Sequence, residues 1–519
     1  MKLIDCTQDE LNTFISTPHN PSKLDRFKKL SIYWSYYKNI QYNGLQYDWS
    51  GRKIDQVGMN DIIKMAEAYP TTNGQASGFY TPLVGRRPSD HVFVAQEIVE
   101  GFTSYLFGHR KFPKITTNDE DIDKYITKLK KKSHLEAHLK AARNIAGSSG
   151  TAVLVLNFAD SPAIDVYEGR FCTPIWAQKR SNELAGLEIM YEVSREIVQN
   201  EKQDTTTGKM IQNQYQQVVY ERRVVTQTSD TTYRSKPNKS SPVAEDDPTI
   251  WEQRSQTTYK LDFVPAIWIR NTADSMEIDG ESDYEGLLDD IDTINRLESA
   301  ISSSLFANLD PTLVMGISPE DLKKQGGRPI RTGSGVALIV GKGGNAFFLE
   351  INGEGIKIAQ TRSKEKQRIV FKRAHYISLD PEKFVGENLS GTALITLLAE
   401  MYSVLDDKRE QWGRIFVEII EMFIKMHQAM GSIALELPTI PKDLEIQLQW
   451  SPFTELSATE KKALSDSITE LLGGMPAIDQ ESAVSLVASI FGLDAKTIQK
   501  RIEKQRQDNE QKQRMALNE

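Results

Sequence analysis

Cys6 and Cys172 are the only cysteines in 519 residues, which excludes a disulfide framework and a zinc cluster. Long apolar runs are missing too: nothing approaches the roughly twenty residues that a membrane helix needs. The first residues, MKLIDCTQDELN, have no apolar signal core, so an intracellular chain is expected. An excess of basic charge is also absent. The 63 Lys and Arg are outnumbered by 71 Asp and Glu, for a net charge of −8. That balance argues against a protein built to grip nucleic acid tightly, which needs a strong basic footprint, but not against a channel that DNA slides through. There is no internal repeat. Composition is otherwise ordinary for a soluble chain, 39% hydrophobic and 26% charged, and the length suggests roughly three folding units.

Catalytic signatures fail one by one. GSGVALIVGKGG, Gly333–Gly344, invites a phosphate-loop reading, but Gly335 lies one residue too far from Gly341 and Gly343 stands where a hydroxyl is needed. Gly147-Ser148-Ser149-Gly150-Thr151 resembles a nucleophile elbow but has Thr151 where the last glycine belongs. His134 and His138 are spaced to share a metal, yet no third ligand is evident, and a solvent-facing helix surface accounts for them. The carboxylates between Asp283 and Glu298 are spread along helix flanks instead of gathered at a point. No catalytic, cofactor or metal constellation survives.

What is present is organised around residues 283–430. A first helix, Asp283 to about Asn308, carries an apolar stripe at Leu287, Ile291, Ile294, Leu297, Ile301 and Leu305. Its start is acidic, with Asp283, Glu285, Asp289, Asp290, Asp292 and Glu298 against Arg296. A second helix, Glu354 to Ile377, is basic, with Lys357, Arg362, Lys364, Lys366, Arg368, Lys372 and Arg373 against Glu365. The opposite signs make the two natural neighbours, within one subunit or between subunits. Between them lies a glycine-punctuated stretch with strand-like runs at Thr312–Met315, Val336–Val340 and Ala346–Ile351. After them come a loop, SLDPEKFVGENLS, and a long amphipathic helix from Ser390 or Gly391 with Leu394, Leu397, Leu398, Met401, Leu405, Trp412, Ile415, Phe416, Ile419, Ile420 and Phe423 on its apolar face.

In this order of parts the chain resembles the portal proteins (head-to-tail connectors) of tailed bacteriophages, of the siphovirus type. The resemblance implies an α+β, portal-like fold. Residues 1–282 would form a mixed α/β wing, 283–308 and 354–377 the two stem helices, 309–353 a small α/β clip, and 378–390 a tunnel loop. The long wing helix and a returning strand would fill 391–453, and a helical C-terminal crown 454–519. It also implies a non-enzymatic ring, a dodecamer, at one vertex of the virion capsid, assembled in the bacterial host cytoplasm. Through it double-stranded DNA would be packaged and ejected without sequence-specific contact. Its partners would be further copies of itself, the terminase large subunit, a head-completion or adaptor protein, and the major capsid and scaffolding proteins, with no membrane and no cofactor. On this mapping Asp380, Glu382, Lys383 and Glu387 stand at the constriction. Asp289, Asp290, Asp292, Arg362, Lys364, Lys366, Arg368, Lys372 and Arg373 are stem and channel charges, and Lys323, Lys324, Arg328, Arg331 and Lys342 give the clip a basic face. That face is either a solvated loop surface or one meeting DNA, the motor or the adaptor. The rival readings are a large intracellular helical scaffold or adaptor and, from the enzyme class, a nucleic-acid-processing protein.

Elsewhere the pattern predicts a helix within Met1–Gly44 ending in Tyr33, Trp34, Tyr36, Tyr37 and Tyr42, a helix over His91–Gly108, and two helices in Asp119–Ala146. Strands are expected at Ala152–Phe158, Ala163–Tyr167, Leu187–Val193, Gln214–Arg223, Thr257–Leu261, Phe263–Arg270 and Leu444–Trp450. Polar breaks are expected at Gln199–Lys209 and Thr226–Asp247, and helices after Ser457.

Overall fold

The computed structural model describes residues 23–43, 87–108, 111–158, 161–177, 183–203, 210–236, 250–272, 277–309, 312–316, 345–349, 353–378, 391–431, 435–441, 443–453, 462, 465–468, 479–491, 498–499 and 501–506. Helices and strands are both abundant, as an α+β chain requires. The chain divides into two units. The larger comprises Met1–Gly101, Leu129–Tyr376 and Glu418–Leu437; the smaller comprises Phe102–Lys128, Ile377–Val417 and Pro438–Glu519.

At the centre of the larger unit is strand β2 (Thr151–Phe158). Its sequence, TAVLVLNF, is nearly unbroken aliphatic, as a strand covered on both faces demands, and every residue but Asn157 is buried. It pairs antiparallel with β3 (Pro162–Glu168) on one side and β9 (Ala266–Arg270) on the other. Helix α4 (Leu135–Ser149) packs on β2 and β3 and ends at Gly150, whose φ of +88° is left-handed. A Cβ there would run into the carbonyl of Gly280, so only glycine fits.

A second, five-stranded antiparallel sheet runs in the order β4 (Cys172–Trp176), β5 (Leu184–Gln203), β6 (Met210–Thr226), β7 (Ser229–Ser235), β8 (Trp251–Thr258). Val153 and Val155 of β2 share an apolar cluster with Cys172, Leu187, Ile189 and Val225 of this sheet and with Val264 and Ala266. Arg223 ties the two sheets, donating to Asp165 on β3 (2.7 Å) and to Asp230 on β7 (2.7 Å).

Two sequence expectations need correction here. The expected polar break at Gln199–Lys209 starts later: β5 continues through Gln203 and β6 begins at Met210, with 204–209 outside the described residues. Past a bulge near Ser194, the two arms pair only with each other, from Ser194 opposite Val219 to Gln203 opposite Met210. This makes a two-stranded ribbon roughly 33 Å long. Backbone hydrogen bonds hold a hairpin without apolar alternation, so composition conceals it. Thr226–Asp247 likewise begins with a tight turn and then strand β7, while 237–249 lies outside the described residues.

In the smaller unit β1 (Lys114–Thr117) pairs antiparallel with β12 (Ile446–Gln449). Helix α7 (Gly391–Met430) gives this unit Leu398, Met401, Leu405, Trp412 and Phe416, all buried. Trp412 meets the ring of Phe107, the last residue of helix α2 (Val94–Phe107), edge-on at 5.5 Å, and Phe107 stacks on Phe112 at 4.8 Å. Arg409 lies 3.4 Å from the ring centre of Phe453 and donates to the Ser451 carbonyl. Helix α3 (Glu120–Lys132) is capped by Asp119, which accepts from the amides of Asp121 and Ile122. Helix α8 (Gln480–Phe491) lies in the C-terminal part.

Candidate functional site

Helices α5 (Leu288–Leu309) and α6 (Gly353–Arg373) bracket a short antiparallel pair, β10 (Thr312–Gly316) with β11 (Asn345–Leu349). Lys366 Nζ donates to Asp290 Oδ1 at 2.5 Å, Arg373 Nη1 donates to Asp290 Oδ2 at 2.8 Å, and Ser363 Oγ donates to Glu298. As α5 advances from 290 to 298, its partners on α6 retreat from 373 to 363, so the helices are antiparallel. One carboxylate held by two cations pins their register. The acidic and basic helices are therefore paired within a single chain at this point.

Both helices are shorter than the periodicity suggests. Asp283–Gly286 form a turn instead of the first helical turn, with Gly286 at φ +70°. Asp283 is drawn away by partners inside the larger unit: Arg143 Nη2 donates to it at 2.7 Å and Asn271 Nδ2 at 3.0 Å. Arg143 and Asp283 are 0% and 1% exposed. Just upstream, Asp279 takes a two-pronged contact from Arg26 (2.6 and 2.7 Å) and a hydrogen bond from Thr151 Oγ1. Helix α6 ends at Arg373, with His375 in the left-handed region at φ 51°.

Along α5 a row of polar groups fastens residues near the N-terminus. Helix α1 (Lys23–Tyr37) supplies Tyr33, whose hydroxyl donates to Glu285 at 2.7 Å and whose carbonyl accepts from Tyr284 at 2.6 Å. Tyr42 donates to Asp292 at 2.6 Å and accepts from Asn295 Nδ2. Asn295 Oδ1 accepts from the amide of Val92, and Ser299 Oγ from the amides of Ser89 and Asp90. Asn295 and Ser299 are fully buried within the apolar stripe. Burial, reinforced by the neighbouring carboxylates, raises the pKa of Tyr33, Tyr36 and Tyr42, so these hydroxyls remain donors. Tyr37, beside Glu100, is pushed up to about 12 by burial. The aromatic cluster thus grips a helix some 250 residues away. Sequence reasoning missed Arg143, Asn271, Asn295 and Ser299. The available signal was a pair of small polar residues four apart inside an apolar stripe.

The sequence-selected charges now separate. Asp290, Lys366 and Arg373 bind one another; Asp292 is taken by Tyr42; Arg362 pairs with Glu365 at 3.1 Å. Asp289 is exposed, as are Lys364, Arg368 and Lys372. Asp380, Glu382, Lys383 and Glu387 lie outside the described residues. So do Lys323, Lys324, Arg328, Arg331 and Lys342 and the expected strand Val336–Val340. Among the described residues no three His, Cys, Asp or Glu side chains gather as metal ligands, and no helix is long and apolar enough to cross a membrane. His134, in the left-handed region at φ 49°, breaks the helix between α3 and α4. Ser148 and Ser149 are buried and donate to the Ile145 carbonyl.

No individually curated protein matches the chain. Residues 16–512, nearly its whole length, match the family described as "Phage portal protein, SPP1 Gp6-like". The chain belongs to that family of phage portal proteins.

Proposed function

We propose that the chain is the subunit of a closed ring, a dodecamer, at one vertex of a phage capsid. Double-stranded DNA enters and leaves through its channel, and the terminase and a head-completion or adaptor protein dock on it. Helices α5 and α6 are its stem, the β10–β11 insertion its clip, residues 378–390 its tunnel loop, and the C-terminal helices its crown. The ring is a passive conduit, and the nucleotide chemistry belongs to the motor. The observation that carries this reading is the α5/α6 pair. It is antiparallel, fixed in register by Asp290, and interrupted by a β insertion in a chain of the portal family. Leu305 and Ile358 on this pair are 42% and 70% exposed in the single chain. Heterologous contacts that close by rotation would cover such residues on every subunit. Negative-stain electron microscopy with mass from light scattering tests the reading. End-on rings with a central hole and a mass of roughly a dozen chains are expected; discrete monomers or dimers at all concentrations would overturn it.

A further inference from the structure

Helix α6 has two faces of different fate. Ser363, Val370 and Ala374 are buried, with Lys366 turned to Asp290 on the same side. On the other side Lys357, Lys364, Arg368 and Lys372 are all exposed. At 3.6 residues per turn they fall within an arc of about 80°, and at 1.5 Å per residue they span about 22 Å, the last three at steps of about 6 Å. None of the four side chains has an ion-pair or hydrogen-bond partner among the described residues.

A stripe of like charge that the fold leaves open to water is placed to meet an anion from outside. The first candidate is the acidic helix of a neighbouring copy, but its carboxylates are largely committed within their own chain. Asp290 holds Lys366 and Arg373, Asp292 accepts from Tyr42, and Glu298 accepts from Ser363. Only Asp289 among the acidic residues of α5 is exposed, one charge against four. The pairing that opposite helix charges suggested between subunits is spent inside each subunit. What remains matches a regular polyanion: a DNA strand presents a phosphate about every 3.4 Å along its axis.

We infer that Lys357, Lys364, Arg368 and Lys372 form a phosphate track along α6 that touches passing double-stranded DNA and leaves the joint between subunits to other residues. This rests on the ring reading above. Contacts to phosphates alone carry no sequence information, as a conduit for any DNA requires.

The test uses full-length rings of wild type and of K364Q/R368Q/K372Q, with K128Q/K131Q on the exposed face of α3 as a charge-loss control. Ring closure is read by light scattering and microscopy. Binding of a short blunt-ended duplex is read by anisotropy across a salt series. The expected result is intact rings in all three and a slope of log K against log salt that falls by at least about one unit in the triple variant alone. An unchanged slope, or an equal fall in the control, overturns the track. Failure of the triple variant to close, while the control closes, assigns the stripe to a neighbouring subunit and also overturns it. If wild type itself gives no ring, the ring reading falls first and the track falls with it.

Discussion

Arg143 and Asp283 form a buried pair on which the entry to α5 hangs, and neither can leave without stranding the other. An unpaired buried charge costs about 3–5 kcal/mol, whereas replacing both partners by apolar residues is far milder. R143L or D283L alone should therefore lower the urea midpoint strongly, and the double variant should recover much of the loss. Additive losses in that cycle would mean that the two do not act as a pair. Two histidines set a pH dependence of definite sign. Burial lowers the pKa of His427, beside the Phe158 ring at 4.9 Å, and of His138. The unfolded chain, with histidine pKa values near about 6.5, then binds more protons than the folded one, so stability drops as pH falls below that value. H138Q/H427Q should flatten the midpoint between about pH 7 and pH 5 relative to wild type. Equal slopes would locate the acid sensitivity in other groups. At this scale the sequence was least informative. Arg143 looked like one more helix charge, because its partner stands 140 residues away and no local pattern links them.

Elements were more legible than residues. The apolar face of α7 was correct from Leu398 onward, since periodicity at 3.6 survives whatever the tertiary context. Glycine and strand punctuation also located β10 and β11. The β5–β6 ribbon was legible only in part: a strand was expected at Gln214–Arg223, but the polar arm from Ser194 to Gln203 carries no alternation to read. A two-stranded ribbon is marginal alone, so the five-stranded body should not depend on it. Joining Ser194 directly to Val219 through Asn-Gly, in place of residues 195–218, suits a two-residue hairpin turn. The expected shift in Tm of the shortened chain is within roughly 4 °C. A loss well beyond that would make the ribbon part of the folding unit.

On the scale of the whole molecule, the family relation covers residues 16–512, and the order of helices, insertion and loop was what the sequence alone could offer toward it. Which charges serve the subunit and which face outward could not be read, because helical spacing gives the faces but not their neighbours. Leu305 and Ile358 give a direct handle on assembly. L305D/I358D places charges at exposed sites, so the isolated chain should unfold within about 0.5 kcal/mol of wild type. Light scattering should show that the same variant no longer closes rings. Rings of normal mass would place the contact between subunits elsewhere.

The fastening of Tyr33, Tyr42 and residues 89–92 to α5 also has a meaning in time. Tyr42 and Asp292 are 250 residues apart. At the roughly 5–20 residues per second of protein synthesis, the aromatic helix waits about 12–50 s on the ribosome before its partner emerges. During that interval the hydroxyls of Tyr33 and Tyr42 lack Glu285 and Asp292, the acceptors they hold in the folded chain. A chain broken off before Asp292 can never close the clasp. Only a product long enough to include α5 can complete these contacts.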